Sequence, residues 1–279
     1  MATSTVALGA SEVAAALGLS PWTSPYELWA RKTGRLTTQK ESDALEAGTR
    51  LEPAIIDWAE SVIGRIERPV EAAIDGTPIV THPDGLTEAG CPVEAKTSGI
   101  TGPLYGTWGE EWTDEIPEHY LVQCLVQLEA TGGEACFVPA LLGGRGFTMF
   151  RVPSSPELQR EIVDRACTWF RDHVEADRPP ELTTPPPLAV LKKLRREPGS
   201  TVEIDPELVE RWLEAKERAK EAQRSADELQ AAVIAALGDA EAGELPDGRL
   251  VTYCEQFRKG YTVEDTTFRV LRIKKGARK

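Results

Sequence analysis

The sequence predicts a mixed α/β core followed by a long C-terminal helix and a β-hairpin. Helical segments alternate with short apolar strand-like runs through the first 180 residues. The proline-rich stretch RPPELTTPPP, residues 178–187, then breaks this alternation and predicts a linker. Beyond it, residues 205–237 read as one long helix. We therefore expect a core over 1–177, a linker over 178–187 and an extension over 188–279 that serves oligomerisation or DNA contact.

The composition is typical of a globular cytoplasmic protein. The 279 residues are 41% hydrophobic, and no apolar run approaches membrane-spanning length. The first residues, MATSTVALGA, lack the pattern of a signal peptide. Five cysteines without a CxxC pair argue against a disulfide framework, a zinc site or an iron–sulfur cluster. A net charge of −13 argues mildly against a nucleic-acid partner, although it does not report the charge within one cleft.

The predicted elements of the core follow from periodicity and capping residues. Two short helices, 11–19 and 24–34, each have a Ser at the N-cap and a Gly near the end. Further helices are predicted at 43–63, 117–131 and 156–176. Strands are predicted at 79–82, 92–97, 135–142 and 147–152.

The long C-terminal helix carries apolar residues at alternating spacings of four and three, which is typical of a heptad seam. The seam consists of Leu208, Trp212, Ala215, Ala219, Ala222, Ala226, Leu229 and Val233. It permits a trimer, a dimer or an internal hairpin, and packing on the protein's own core is an equal alternative. Residues 244–253 and 266–275 are predicted strands, the first with an Asp-Gly turn.

Two short stretches, HPDG and VEAK, place acidic residues beside predicted strands. Glu94 and Lys96 are two residues apart in one strand and project to the same face, and Asp84 follows the preceding strand. Two converging carboxylates form the hard-oxygen site that Mg²⁺ prefers, and a lysine beside them can orient an attacking water. On spacing alone, a surface ion pair and a turn cap explain these residues better.

Two neighbouring segments favour the metal site. Glu52 lies on a predicted helix among apolar residues, where a carboxylate needs a partner or a metal. Tyr120, Gln123 and Gln127 line one face of the next helix and are suited to bind a phosphate or a metal-bound water.

Five motifs in order resemble the PD-(D/E)XK nuclease superfamily, and more narrowly the YqaJ-type viral recombinases, the group that includes phage lambda exonuclease. They lie between residues 9 and 152 and read GASEVAAALGLSPWTSPYELWARKTG, GTRLEP, HPDG, VEAKT and YLVQCLVQL. The resemblance implies a restriction-endonuclease-like core with a mixed central sheet flanked by helices. It also implies Mg²⁺-dependent hydrolysis of DNA phosphodiesters at duplex ends, in the 5′-to-3′ direction.

The resemblance also assigns roles to residues of the site. Asp84, Glu94 and the Ala95 carbonyl would bind one or two Mg²⁺ or Mn²⁺ ions, and Glu52 would bind a metal directly or through water. Lys96 would position the attacking water. Gln123 would hold this water or the scissile phosphate.

The expected DNA contacts are Ser11, Ser20, Arg31, Tyr120 and Gln127. The segment MATSTVALGAS lacks the arginine that lambda-type enzymes place there, so selectivity for a 5′-phosphate stays open. The resemblance further implies a ring-shaped homo-oligomer, with a trimer favoured, a single-strand annealing protein as partner, and a phage or prophage protein in the cytoplasm of a bacterial host. A single-strand exonuclease, an endonuclease and a catalytically weak DNA-end binding module are the alternatives.

Overall fold

The computed structural model describes residues 7–36, 43–68, 70–99, 104, 106–181, 186, 188–196 and 199–257. The chain divides into two compact units, Met1–Arg196 and Glu197–Lys279. Among the described helices, none has the length and apolar character needed to cross a membrane.

Unit 1 contains nine described strands in two sheets. Their bounds are β1 Leu8–Gly9, β2 Ile66–Glu67, β3 Ala72–Ala73, β4 Ile79–Thr81, β5 Gly85–Thr87, β6 Pro92–Val93, β7 Lys96–Ser98, β8 Ala135–Leu142 and β9 Gly146–Pro153. The larger sheet has the order β2–β5–β6–β8–β7, and β9 also pairs with β8. Both β6 and β7 run parallel to β8, whereas the other pairs of this sheet are antiparallel. The smaller sheet has the order β1–β4–β3.

Helices cover the larger sheet through two separate apolar clusters. The helices of unit 1 are α1 Ala10–Ala16, α2 Pro25–Lys32, α3 Asp43–Ile63, α4 Glu118–Thr131, α5 Pro156–Trp169, which continues as a π-helix over Phe170–Glu175, and α6 Leu188–Lys193. In one cluster α1, α4 and α5 pack with Val138 and Phe150 of the sheet. In the other, Ile56 and Ala59 of α3 pack with Val93 and Met149. The predicted mixed sheet flanked by helices is confirmed.

The first two helices differ in how they begin. Ser24 caps α2 as predicted, since its Oγ accepts the Glu27 N–H at 3.2 Å. The cap of α1 is Gly9, and Ser11 lies inside the helix. The Glu12 carboxylate accepts the Gly9 N–H at 2.8 Å, and this bond stabilises the helix start in place of a Ser side chain.

The strand predicted over 92–97 is interrupted at Glu94 and Ala95. Its two halves keep one register against β8, with Val93 opposite Phe137 and Lys96 opposite Ala140. The same register places Ala95 opposite Pro139, which has no N–H to donate to the ladder. The interruption therefore has its cause in the partner strand.

The linker predicted over 178–187 stays a prediction. The six-residue helix α6 follows it and packs on unit 1, where Val190 and Leu194 are buried in the same cluster as α1 and α4. Leu194 also forms an isolated antiparallel bridge with Leu36.

Unit 2 contains the long helix α7, Pro206–Leu237, and two short antiparallel strands, β10 Ala242–Glu244 and β11 Leu250–Thr252. As predicted, Asp205 caps α7 and accepts the Glu207 N–H at 2.9 Å. None of the α7 residues is buried. The Asp-Gly turn lies between the strands, so residues 244–253 form a turn and a strand. The strand predicted at 266–275 lies outside the described residues.

Candidate active site

The interruption between β6 and β7 brings the Ala95 backbone to Asp84. The Ala95 N–H donates to Asp84 Oδ2 at 2.7 Å. The Ala95 carbonyl belongs to the same residue and stays a predicted metal ligand. Asp84 itself lies in the turn between β4 and β5, two strands that belong to different sheets.

Glu94 is the centre of a buried polar cluster and is only 5% exposed. Its Oε1 accepts from Lys96 Nζ at 2.5 Å and from Gln123 Nε2 at 2.6 Å. Its Oε2 accepts from Gln127 Nε2 at 2.5 Å. Both carboxylate oxygens therefore have donors, and these donors fix the orientation of the side chain.

Gln127 has a different position from the one that the sequence predicts. It is fully buried, and its Oε1 accepts from the Cys136 thiol at 3.7 Å while its Nε2 holds Glu94. A side chain without exposed surface does not contact DNA, so the DNA contact predicted for Gln127 is corrected to a structural contact with Glu94. The sequence signal for this contact is a glutamine one turn after Gln123 on a helix that is otherwise apolar on that side.

Lys96 lies between Glu94, Gln123 and the ring of Tyr120. Its Nζ donates to Gln123 Oε1 at 3.3 Å and lies 4.8 Å from the centre of the Tyr120 ring. Burial lowers the pKa of Lys96, but the adjacent Glu94 carboxylate outweighs this effect and raises the pKa overall. Lys96 therefore carries a positive charge at neutral pH.

Two aromatic side chains around Lys96 have pKa values that are shifted in favour of their neutral forms. The His119 and Tyr120 rings lie 4.0 Å apart between centres. Burial, followed by the nearby Lys96 charge, lowers the pKa of His119. Burial also raises the pKa of Tyr120, so both rings are neutral near pH 7.

Asp84 is half-buried, and the pKa of its carboxyl group is raised. Burial is the main cause that raises its pKa to about 7, and the Glu94 carboxylate adds to this effect. Glu52, which is exposed on α3, contributes in the same sense. A cation bound beside Asp84 would stabilise the ionised carboxylate against the effects of burial and of the neighbouring acidic groups.

The donors around Asp84 match the chemistry of a hard divalent cation. In the described part of the chain, no three His, Cys, Asp or Glu side chains form a metal-binding group. The available donors are the carboxylates of Asp84 and Glu94 and the carbonyl of Ala95, and all of them are oxygens. Such a set fits Mg²⁺ or Mn²⁺ with water as the remaining ligands, because Mg²⁺ usually keeps several waters in proteins.

The other predicted DNA contacts lie around α1 and α2. Ser11 is exposed on α1. Ser20 Oγ accepts the Trp22 and Thr23 N–H groups at 3.2 and 3.3 Å. Arg31 Nη2 donates to Thr23 Oγ1 at 3.3 Å, so Thr23 forms hydrogen bonds with both Ser20 and Arg31. Their contacts with DNA stay predictions.

Comparison with known families identifies the region that contains this cluster. Residues 4–134 match the family described as "YqaJ-like viral recombinase domain". The resemblance that the motifs predict is thereby confirmed, and the matched region contains Glu52, Asp84, Glu94, Lys96 and Gln123.

Similarity to individual proteins extends beyond the matched region. The chain is 28% identical over 256 residues to "Uncharacterized protein YqaJ" of Bacillus subtilis (strain 168), covering 85% of this chain and 76% of the relative. An alkaline exonuclease from Laribacter hongkongensis aligns with a TM-score of 0.48 and 19% identity over 62% of this chain and 90% of that chain. A phage-related exonuclease from Haemophilus somnus 129PT aligns with a TM-score of 0.46 and 12% identity over 61% of this chain and 96% of that chain.

Proposed function

We propose that this protein is a divalent-metal-dependent DNA exonuclease that hydrolyses phosphodiester bonds at duplex ends, with 5′-to-3′ polarity, in phage-type recombination. The observation that carries the proposal is the placement of the Lys96 ammonium against Glu94 and Gln123, on the strand whose interruption presents Ala95 to Asp84. A surface ion pair and a turn cap would not need a buried carboxylate with three donors. The match of residues 4–134 to the YqaJ-like family supports the link with recombination.

Asp84, Glu94 and the Ala95 carbonyl would hold one or two Mg²⁺ or Mn²⁺ ions, and Glu52 would bind through a water. When bound, the metal would supply Lewis-acid stabilisation of the phosphate and would lower the pKa of an attacking water. The raised pKa of Asp84 supports this assignment, because a bound cation would stabilise the ionised form of a carboxyl group that burial and the Glu94 carboxylate disfavour.

The chain's own side chains would position the nucleophile and stabilise charge. The Lys96 ammonium would donate a hydrogen bond to the attacking water and stabilise the negative charge that develops on the phosphate. Gln123 contacts both Lys96 and Glu94, so it would hold these two groups in a fixed relation. The fixed relation matters because small displacements of catalytic groups cost large factors in rate.

The natural substrate would be linear duplex DNA, and its partners would be further copies of the chain and a single-strand annealing protein. These partners follow from the resemblance to phage lambda exonuclease. The exposed seam on α7 supports self-association, since none of the α7 residues is buried in the single chain.

The test incubates the protein with linear duplex, nicked circular duplex and single-stranded DNA, each with Mg²⁺ or with EDTA. Shortening of linear duplex alone, abolished by EDTA, is the expected result, and strands labelled at either end give the polarity. Cutting of the circle would instead identify an endonuclease. Preference for single strands would identify a single-strand exonuclease, and the absence of cleavage would leave a DNA-end binding module.

Asp84→Ala should abolish cleavage, because it removes the carboxylate that the Ala95 backbone holds in place. The matched control is Asp75→Ala, an exposed aspartate outside the cluster. Normal cleavage by Asp84→Ala would contradict the assignment of the site.

A further inference from the structure

A small pocket lies at the end of β7, two residues beyond Lys96. Its volume is about 200 Å³, and it is lined by Ser98, Gly106, Trp108, Leu142, Gly143 and Arg145. Side chains two residues apart on a strand share a face and lie about 6.6 Å apart. Ser98 therefore projects to the same side of β7 as Lys96, at a separation comparable to the repeat of a nucleic-acid backbone.

A chain of aromatic contacts also connects this pocket to Lys96. The Lys96 ammonium lies over the Tyr120 ring, and the Tyr120 and Trp108 rings are 5.7 Å apart between centres. Trp108 in turn lines the pocket. The wall of the pocket is therefore in contact with the cluster around Glu94 through Tyr120.

Arg145 gives the pocket the chemistry of an anion site. Its guanidinium donates to the carbonyls of Trp108 at 3.2 Å and Gly109 at 2.9 Å. Within the described ranges no acidic side chain forms an ion pair with Arg145. An arginine has five N–H donors in a fixed fork, so donors remain for a phosphate.

Trp108 lines the pocket and has an indole N–H without a partner in the described ranges, as Trp29 and Trp169 also have elsewhere in unit 1. The residue is 8% exposed, and its indole N–H is buried without an acceptor among the residues that the structure describes. Buried donors in proteins nearly always have an acceptor. A ligand oxygen in the pocket would satisfy this N–H, and the ring of Trp108 and the side chain of Leu142 would provide an apolar wall.

We propose that this pocket binds the phosphate and deoxyribose of the nucleotide next to the scissile bond, with the phosphate on Arg145. The volume decides how much of the nucleotide enters, because 200 Å³ is below the 300–1,000 Å³ that is typical of whole drug-sized ligands. The base stays outside, and binding is independent of its identity. The inference rests on the proposed nuclease function and names the residue that holds the substrate strand.

The variants for the test are Arg145→Ala, Arg145→Lys and Trp108→Phe. The matched control is Arg165→Ala, which removes an exposed arginine that pairs with Glu161 on α5. Circular dichroism and thermal unfolding establish that each variant is folded, because Arg145 also holds two backbone carbonyls. DNA binding is measured on the inactive Asp84→Asn background by fluorescence anisotropy of an end-labelled duplex at several salt concentrations.

We expect Arg145→Ala to weaken binding about tenfold and to reduce the salt slope by about one. Arg145→Lys should keep the salt slope but bind less tightly than the wild type, because a lysine loses the forked geometry. Trp108→Phe should weaken binding less than Arg145→Ala. In the active background, Arg145→Ala should raise KM and leave kcat within about threefold, since a contact made equally in ground and transition states changes KM alone.

A duplex with one neutral methylphosphonate at the linkage next to the scissile bond tests directly whether Arg145 contacts this phosphate. The wild type should bind this duplex as weakly as Arg145→Ala binds the unmodified duplex. The affinity of Arg145→Ala should be the same for both duplexes. Equal binding by Arg145→Ala and Arg165→Ala, or an equal loss from the neutral linkage in both backgrounds, would overturn the subsite. Failure of the wild-type chain to cleave any DNA would instead overturn the proposed nuclease function, and failure to bind DNA would overturn both.

Discussion

Glu94 shows how a single carboxylate is fixed inside this molecule. A buried carboxylate is costly unless hydrogen bonds and charges compensate it. Glu94 receives one cationic donor, Lys96, and two neutral donors, Gln123 and Gln127. The neutral donors orient the carboxylate without cancelling the negative charge that a metal would need.

Gln127→Leu tests this orientation. It should lower kcat about tenfold with little change in KM, because Glu94 Oε2 loses its donor. It should also destabilise the fold by about 1–3 kcal/mol, the usual cost of an unsatisfied buried acceptor. Steady-state kinetics and denaturant unfolding measure the two effects.

Gln159→Leu is the matched control for Gln127→Leu. Gln159 is equally buried, at 3% exposure, and donates to Glu129 Oε2 at 3.1 Å on a different part of unit 1. This variant should lose stability but keep its kcat. Equal losses of kcat in both variants would show that stability, and not the orientation of Glu94, limits activity.

Asp84→Asn should stabilise the protein in EDTA at pH 8. The folded-state pKa of Asp84 is raised from 3.8 to about 7, so the folded chain binds the proton more tightly than the unfolded chain. The resulting penalty is complete above pH 7 and shrinks as the pH falls from 7 towards 4. Asparagine keeps an acceptor for the Ala95 N–H and removes the charge.

Thermal unfolding of wild type and Asp84→Asn at pH 8 and pH 5 measures this penalty. The difference in Tm should be larger at pH 8, by about 2–4 °C for each kcal/mol that the ionised Asp84 costs the folded state. Mg²⁺ should raise the Tm of the wild type and have little effect on the variant. A variant that is less stable than the wild type at pH 8 would contradict the claim that the ionised Asp84 carboxylate destabilises the folded state.

The residues of the site were predictable from the sequence to different degrees. The spacing of Glu94 and Lys96 predicts a shared face, and the structure joins them by an ion pair. The sequence did not predict whether the Gln127 side chain points to the core or to solvent. Residues four apart on a helix share a face in either case. The burial of Gln127 depends on how α4 is rotated against the sheet, which is a property of tertiary packing.

At the scale of elements, helices were more predictable than strands. The 21 residues of α3 and the start of α7 carry their signals within their own sequence, as apolar periodicity and the Asp205 cap. The interruption between β6 and β7 depends on Pro139, which lies in another strand. The sequence of residues 92–97 alone therefore does not predict the interruption.

Gly85, in the turn PDG, is a position of the larger sheet that has no space for a side chain. Gly85 follows Asp84 and begins β5, where a Cβ would lie 2.1 Å from Ile66 Cγ2 and 3.2 Å from the Glu67 carbonyl oxygen. Gly85→Ala should therefore destabilise unit 1 by about 1–3 kcal/mol, the usual cost of overpacking. Denaturant unfolding measures this loss.

Gly99→Ala is the control for Gly85→Ala, because a Cβ at Gly99 meets no atom within 4 Å. Its stability should remain within about 0.5 kcal/mol of the wild type. Ile66→Ala should rescue part of the loss in the double variant, as expected for two residues in contact. Strict additivity would show that the clash with Ile66 is not the cause.

At the scale of the whole molecule, α7 carries an exposed apolar seam in a chain of net charge −13. Leu208, Leu229 and Val233 on this seam are 59%, 67% and 48% exposed. Such a stripe at heptad spacing is typical of a helix that pairs with another helix. For two associated copies of α7, the charges beside the seam favour one direction of pairing over the other.

Basic residues flank the N-terminal half of the seam, and neutral residues flank the C-terminal half. Heptad spacing places Arg211, Lys216 and Arg218 beside the seam in the first half, and Gln223, Ser225, Gln230 and Ala232 in the second half. A parallel arrangement would bring Arg211 against Lys216 of the neighbouring helix, and like charges at these positions repel. An antiparallel pair brings basic residues against neutral ones. A trimeric ring would then depend on contacts of unit 1, and α7 would join copies in pairs.

Ala219→Glu together with Ala222→Glu should halve the mass of the assembly, because both residues lie at the centre of the antiparallel pair, where a carboxylate would be buried against its symmetry mate. Sedimentation equilibrium measures this mass, and Glu221→Ala, on the opposite face of α7, should leave it unchanged.

The direction of pairing is tested by disulfide cross-linking of variants that also carry Cys254→Ser. Leu208→Cys with Val233→Cys should form disulfide-linked dimers on mild oxidation, whereas Leu208→Cys alone should not, because only a parallel pair brings two copies of position 208 together. A mass unaffected by the two glutamates would exclude the seam as the contact, and efficient cross-linking of Leu208→Cys alone would show that the helices run parallel despite the repulsion between their basic flanks.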